Sequence, residues 1–192
     1  MTLEINEESL PEIVRLARSG RVVVFDTEST GMSANDEICQ LAATEFVAGH
    51  KARTMNVYVR PSCAMSEDAE SVHGLSLAFL QEHGIDPADA LEKFFALLGP
   101  DVLLVAHSSP FDLRMLRQSC SRYGMEFHED EFKVCDTIRL AKRLHPEFGR
   151  YRLSHLLEVL NVEGVNSHDA KDDAAACAGV FFCLVEEFCR IS

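Results

Sequence analysis

No apolar run in this 192-residue chain approaches the roughly 20 positions that a helix needs to cross a bilayer. The N-terminal stretch MTLEINEESLPEI carries four glutamates and lacks the apolar centre of a secretory leader. A soluble, cytoplasmic protein without membrane contact is the expectation. CxxC pairs are also missing: the seven cysteines (39, 63, 120, 135, 177, 183 and 189) are scattered, several inside apolar segments such as EICQLAA and VFFCLVEEF. This argues against zinc or disulfides and for buried, reduced thiols. Repeats and low-complexity linkers are absent, and a chain of this length at 47% hydrophobic content can bury one full core, so residues 1–192 are expected to form a single domain.

Positive charge is scarce. Against 31 Asp+Glu there are 18 Lys+Arg, a net charge of -13 that ordinarily speaks against nucleic acid as a partner. Metal-binding carboxylates count as negative in sequence and are neutralised in use, so the global sum is a weak guide. Its distribution is uneven. Between Arg114 and Arg152 nine basic residues (114, 117, 122, 133, 139, 142, 143, 150 and 152) face six acidic ones. That stretch reads either as a surface for a phosphate backbone or as a solvated helix face.

Ser9 followed by Glu12 fits a capping box, and Gly20 stops the short helix after it. Val22 to Phe25 are apolar without alternation, as in a strand covered on both faces, so residues 21–26 read as the first strand. Residues 37–47 and 54–59 read as two more, turned at AGHK and closed by Pro61, with the first strand central. Ser76 caps LAFLQEH and Asp86-Pro87 opens PADALEKFFALL. DVLLVAH and FKVCDT read as strands. FDLRMLRQSCSRY, TIRLAKRLH, RLSHLLEVL and the long closing DAKDDAAACAGVFFCLVEEF read as helices, the apolar VFFCLVEEF face favouring core over a dimer surface. The pattern predicts an α/β protein with a mixed sheet flanked by helices.

The first strand ends in two acids. Side chains two apart share a strand face, so Asp26 and Glu28 point together while Thr27 points away. A lone aspartate at a strand end serves equally well as a cap. Asp112 follows the second apolar strand at a helix start, where N-capping is the plain alternative. In NSHDAKDDAAACAGVF, His168 precedes the last helix, and Asp169, Asp172 and Asp173 compete for a role beside it. If Asp26, Glu28, Asp112 and Asp173 converge, each of their six like-charge pairs costs about 2 to 3 kcal/mol at 6 Å and a dielectric near 20. Bound cations make that arrangement reasonable, and oxygen-only ligands select magnesium or manganese, whereas zinc prefers His or Cys.

DTESTG, AHSSPFD and HDAKDDA, in this order and spacing, resemble the DxExTG, AHNxxFD and HxAxxDA motifs of the DnaQ-like (DEDDh) 3′ to 5′ exonucleases. VHGLS and CDTIRLAKRLHPEFGRYRLSHLLEVLNV are similar to further segments of polymerase III epsilon-type proofreading domains, so the resemblance runs over nearly the whole chain. It implies a ribonuclease H-like mixed five-stranded sheet of order 3-2-1-4-5 with strand 2 antiparallel. It also implies a two-metal hydrolysis of terminal phosphodiesters, with two Mg2+ or Mn2+ ions and release of nucleoside 5′-monophosphates. The motif selects Asp173, five residues after His168, and leaves Asp169 and Asp172 as solvated helix-start charges.

By the same resemblance, Asp26 bridges both ions, Glu28 and Asp173 hold one, Asp112 helps with the other, and His168 is the general base. Thr27, Thr30, Gly31, Met32, His73 and Phe111 form the substrate-binding set. Met32 stands where a wedge against the last base is expected, and Phe111 serves either as core or as a stacking platform. Ser108 replaces a common asparagine, which predicts a loosened hydrogen bond near Asp112. The partner is then nucleic acid, single-stranded DNA before RNA. RNA trimming and an idle binding module are the alternatives, and the chain's end at Ser192 leads us to expect a free-standing enzyme, a polymerase partner not being indicated.

Overall fold

Val22, Val23, Val24 and Phe25 are wholly buried at the centre of a five-stranded sheet, because both faces of their strand are covered by helices. A computed structural model describes residues 8–191, and the acidic residues 1–7 examined for a leader lie outside them. The strands are β1 (Arg21–Ser29), β2 (Ile38–Val47), β3 (His50–Tyr58), β4 (Val102–Ala106) and β5 (Lys133–Asp136), in the order β3-β2-β1-β4-β5. β2 runs antiparallel to β1 and β3, and β1, β4 and β5 are parallel. This is the mixed sheet that the motifs implied.

Eight α-helices lie among the described residues: α1 (Leu10–Ser19), α2 (Glu67–His73), α3 (Leu77–His83), α4 (Pro87–Phe95), α5 (Ser109–Arg122), α6 (Thr137–Leu144), α7 (Leu153–Val159) and α8 (Ala170–Ile191). Strand parity divides them. Val22 and Val24 pack with α1, α6, α7 and α8, whereas Val23 and Phe25 pack with α4 and α5. Val180, Phe181, Leu184 and Val185 of α8 are buried in the first of these layers, so the VFFCLVEEF face is core. All seven cysteines are free thiols, four of them buried. No helix among the described residues is long and apolar enough to cross a membrane.

Three local expectations change. Ser9 has helical backbone angles and its side chain makes no cap bond, while Glu12 pairs with Arg15 and Lys133 instead of closing a capping box. β3 starts at His50, earlier than its sequence suggests, because Ala48 and Gly49 both take positive φ and form a two-residue turn that pairs Val47 with His50. α2, overlapping VHGLS, is a separate helix capped by Ser66.

Ser108, at the start of α5, lies in the left-handed region (φ 70°, ψ 46°), and its exposed side chain makes no cap bond. Asparagine suits this position through the backbone, since it tolerates left-handed angles better than serine. The neighbouring Ser109 anchors the turn to Asp136 through its N–H (2.8 Å) and hydroxyl (3.2 Å), independently of the Ser108 side chain. We expect Ser108→Asn to raise stability by about 1 kcal/mol in urea denaturation; an unchanged midpoint would mean that the turn carries no backbone strain.

Candidate active site

The same parity that sorts the core sorts the acids. Asp26 and Glu28 continue the Val22/Val24 face and meet α8, the helix that carries Asp173. Thr27 continues the Val23/Phe25 face and meets α5, which carries Asp112. There the Thr27 N–H (3.0 Å) and hydroxyl (2.8 Å) both donate to Asp112 Oδ1. Opposite Asp26 on β2 is Ala42, and it packs on Ala170 and Ala174, small residues that let the start of α8 approach the sheet.

The start of α8 is tied down by Asp169 and by two side chains that sequence reasoning did not single out, Gln40 and Asn166. Gln40, wholly buried on β2, donates to Asp169 Oδ2 (3.0 Å) and accepts the Ala170 N–H (3.2 Å). Asp169 caps α8 through the N–H groups of Lys171 and Asp172, so it is a half-buried capping residue and not a solvated charge. Asp173, 6% exposed, accepts from the Asn166 amide and from the Ser167 N–H (2.9 Å). Asp136 serves the other wall, receiving Ser109 of α5 on one oxygen and the first N–H groups of α6 on the other. A glutamine inside EICQLAA and an asparagine just before His168 were the available signals.

Glu28, His168 and Asp173 present ligand atoms that all lie within 4.8 Å of one another. His168 is exposed and left-handed (φ 58°), a conformation that histidine visits more readily than most residues but still under strain. Burial raises Asp26 well above the usual carboxylate range, and the charges of Asp112, Glu28, Asp173 and Asp169 raise it further. Glu28 is pushed up to about 8 by burial and by Asp173, Asp112 and Asp169. Asp112 reaches about 7 through burial, opposed by the Thr27 hydroxyl and N–H. Asp173 is raised by burial against the Ser167 and Asn166 bonds.

Among the described residues, no lysine or arginine pairs with any of these four acids. Oxygen ligands that repel one another, with no protein cation among them, fit a hard divalent ion, and His168 adds one nitrogen within reach.

The expected substrate residues divide by exposure. Thr27 and Thr30 are buried with their hydroxyls committed within the protein: Thr27 holds Asp112, and Thr30 bonds Asp36 (3.1 Å) while accepting the Glu37 N–H (3.0 Å). A Cβ at Gly31 would lie 2.7 Å from the Asp36 carboxylate, which would have to shift from Thr30. Met32 is 76% exposed. His73 accepts the Leu75 N–H on Nδ1, which leaves Nε2–H to donate to the Ser29 carbonyl (3.2 Å), and burial keeps it neutral. Phe111 packs half-buried against the α4/α5 layer with Arg114 over its ring, which favours core over a stacking platform.

The Met32 loop has its own supports. Arg114, Gln118 and Arg122, one turn apart on α5, donate to the carbonyls of Met32, Ser33 and Asn35, and Arg122 also pairs with buried Glu37. Their spacing on the polar side of an amphipathic helix was the legible sign.

Residues 23–181 match a protein-family model described as Exonuclease. The chain is 33% identical over 165 residues to the PolC-type DNA polymerase III of Oceanobacillus iheyensis, which covers 85% of this chain and 11% of that protein. With the corresponding Bacillus subtilis polymerase the identity is 30% over 174 residues, 90% of this chain and 12% of the polymerase. The chain thus spans roughly a tenth of these relatives. Its fold matches E. coli exonuclease I in complex with a dA16 oligonucleotide, with a TM-score of 0.76 at 20% identity over 87% of this chain and 41% of that one. A zinc-bound complex of E. coli exonuclease I with single-stranded DNA gives the same score over 87% and 40%. The family model extends from the middle of β1 to the middle of α8 and takes in all four acids and His168, so the chain belongs to the exonuclease family.

Proposed function

We propose that this chain is a metal-dependent 3′ to 5′ exonuclease that removes nucleoside 5′-monophosphates from single-stranded DNA, acting as one soluble, cytoplasmic domain. The observation that carries this reading is the cluster of Glu28, Asp173 and exposed His168, whose ligand atoms lie within 4.8 Å of one another, with Asp26 and Asp112 as its charged neighbours at the end of the central strand. The dA16 complex of exonuclease I, a protein of the same fold, supports DNA as the substrate.

The four acids would hold two divalent cations, magnesium or manganese, which when bound would stabilise charge on the phosphoryl group and lower the pKa of a water. His168 takes the proton from the attacking water, and its exposure lets it return that proton to solvent. Thr27 keeps Asp112 aimed at the cleft, and Asn166 with Ser167 does the same for Asp173. Met32, on its clamped loop, stands against the terminal base, while Thr30 and Gly31 build the turn that places it. His73 lines the cleft from the Ser29 side.

A 5′-labelled single-stranded DNA oligonucleotide should shorten from its 3′ end in magnesium or manganese, and not in chelator. Asp26→Ala should lower the rate by about 10³-fold, the equivalent of several kcal/mol of lost charge stabilisation. No cleavage in either metal, or cleavage unchanged in the variant, would refute the assignment. Faster hydrolysis of the matched RNA would make the enzyme an exoribonuclease.

A second expectation concerns stability without metal. Glu28 and Asp112 titrate higher folded (about 8 and about 7) than the ordinary 4.5 and 3.8, so between those values the folded state holds protons that the unfolded state releases. Their contribution is full at low pH and is lost as the pH rises through 7 to 8. Melting temperature in chelator should therefore fall across this window, Glu28→Gln should flatten the fall, and magnesium or manganese should raise the melting point most near pH 8. A metal effect equal at pH 5.5 and pH 8 would contradict this.

A further inference from the structure

Five of the nine basic residues between Arg114 and Arg152 are engaged within the protein. Arg114 and Arg122 hold the Met32 loop, Arg117 pairs with Glu129, Lys133 pairs with Glu12, and Arg143 is engaged as well. The other four, Arg139, Lys142, Arg150 and Arg152, are exposed, and among the described residues no carboxylate pairs with them. The acid within this segment, Glu147, is turned to His145, as is Glu187 of α8. In a chain of net charge -13, these cations are left to solvent.

The backbone strap that carries Arg150 and Arg152 is itself held in place, the Arg150 N–H donating to the Phe148 carbonyl. The Tyr151 hydroxyl donates to the His145 carbonyl (2.8 Å), and Lys142 lies 5.4 Å over the Tyr151 ring, between Arg150 and Arg152 in sequence. The His145 ring stacks on Phe148 at 4.4 Å. On its inner side, the Tyr151 carbonyl faces the ring of His107, whose Nδ1 bonds Thr137 Oγ1 at 2.8 Å. Thr137 lies 4.0 Å from the Cys177 sulfur, which feels the charges of Asp26 and Asp112. His107 itself directly follows β4, five residues before Asp112. The cationic strap thus borders the carboxylate end of the sheet on its β4 side.

We propose that Arg150, Arg152 and Lys142 form a phosphate-binding surface for the substrate strand upstream of the scissile bond. This rests on the exonuclease reading and extends it from the terminal nucleotide to the strand behind it. A polyanion approaching an acidic protein is repelled everywhere except where unpaired cations replace its counterions, and the strap is such a place. Tyr151 has its ring under Lys142 and its hydroxyl bonded, so the surface reads phosphates and does not stack bases, which makes it indifferent to sequence.

The test compares kcat/KM for a 5′-labelled 16-mer with that for a dinucleotide, in wild type and in Arg150→Gln/Arg152→Gln, after thermal melts establish that both are folded. The variant should lose the advantage of the longer substrate by about tenfold, chiefly through KM. Its plot of log(kcat/KM) against log salt should be shallower by about 1.4, as expected for two lost phosphate contacts on a single strand. Arg150→Lys/Arg152→Lys should restore the salt slope, and Arg117→Gln should leave the length advantage as in wild type. A length advantage and salt slope equal to wild type in the glutamine variant would overturn the surface. If wild type cleaves neither substrate, the exonuclease reading itself fails, and fluorescence anisotropy of the same 16-mer then decides the surface: equal affinity in both proteins rejects it.

Discussion

Mutual repulsion among four carboxylates at the end of one buried strand is the constraint around which this molecule is arranged. Asp26 and Glu28 cannot leave, because Val22 to Phe25 anchor their backbone between two helical layers. Asp112 and Asp173 cannot withdraw either, because Thr27 of β1 holds the first and Asn166 with Ser167, just before α8, holds the second. Burial raises the titration of all four acids, and for Asp26 and Glu28 the charges of their neighbours raise it further, so without cations the cluster favours taking up protons. Bound divalent cations would relieve the same repulsion without protonating the ligands.

The supporting residues explain why the cluster holds its shape. Gln40 and Asp169 pin the start of α8 to β2, and Ala42, Ala170 and Ala174 set how closely the helix approaches. Asp136 joins the starts of α5 and α6 behind Asp112. At the other edge, a ladder of α5 side chains fixes the Met32 loop. Rigid elements thus place the acids, while the exposed groups, Met32 and His168, sit on loops at the rim.

Much of this was legible in the sequence, for physical reasons. An unalternating apolar run identifies a buried strand, and the two-residue period of a strand fixes which acids share a face, so β1 and the pairing of Asp26 with Glu28 followed directly. The motif order gave the sheet's topology and the choice of Asp173. Three kinds of feature were not readable. Left-handed backbone at Ala48, Ser108 and His168 has no side-chain signature when the residue is not glycine. The role of Asp169 depends on Gln40, 129 positions away, and local pattern carries no information about such a partner. The inward hydroxyl bonds of Thr27 and Thr30, to Asp112 and Asp36, join partners 85 and 6 positions away, and they leave the backbone of the Thr30-Gly31 loop as the part expected to meet the terminal nucleotide.

The central claim, that the acid cluster is a cation site held in a partly protonated state until ions bind, is tested most directly by calorimetric titration with Mn2+ at pH 7.5 in buffers of different ionisation enthalpy. The account predicts two ions bound per chain with net release of protons from the acids they displace, and loss of both in Asp26→Asn. Saturating Mn2+ that binds without proton release, or that binds the variant as tightly as the wild type, would contradict it.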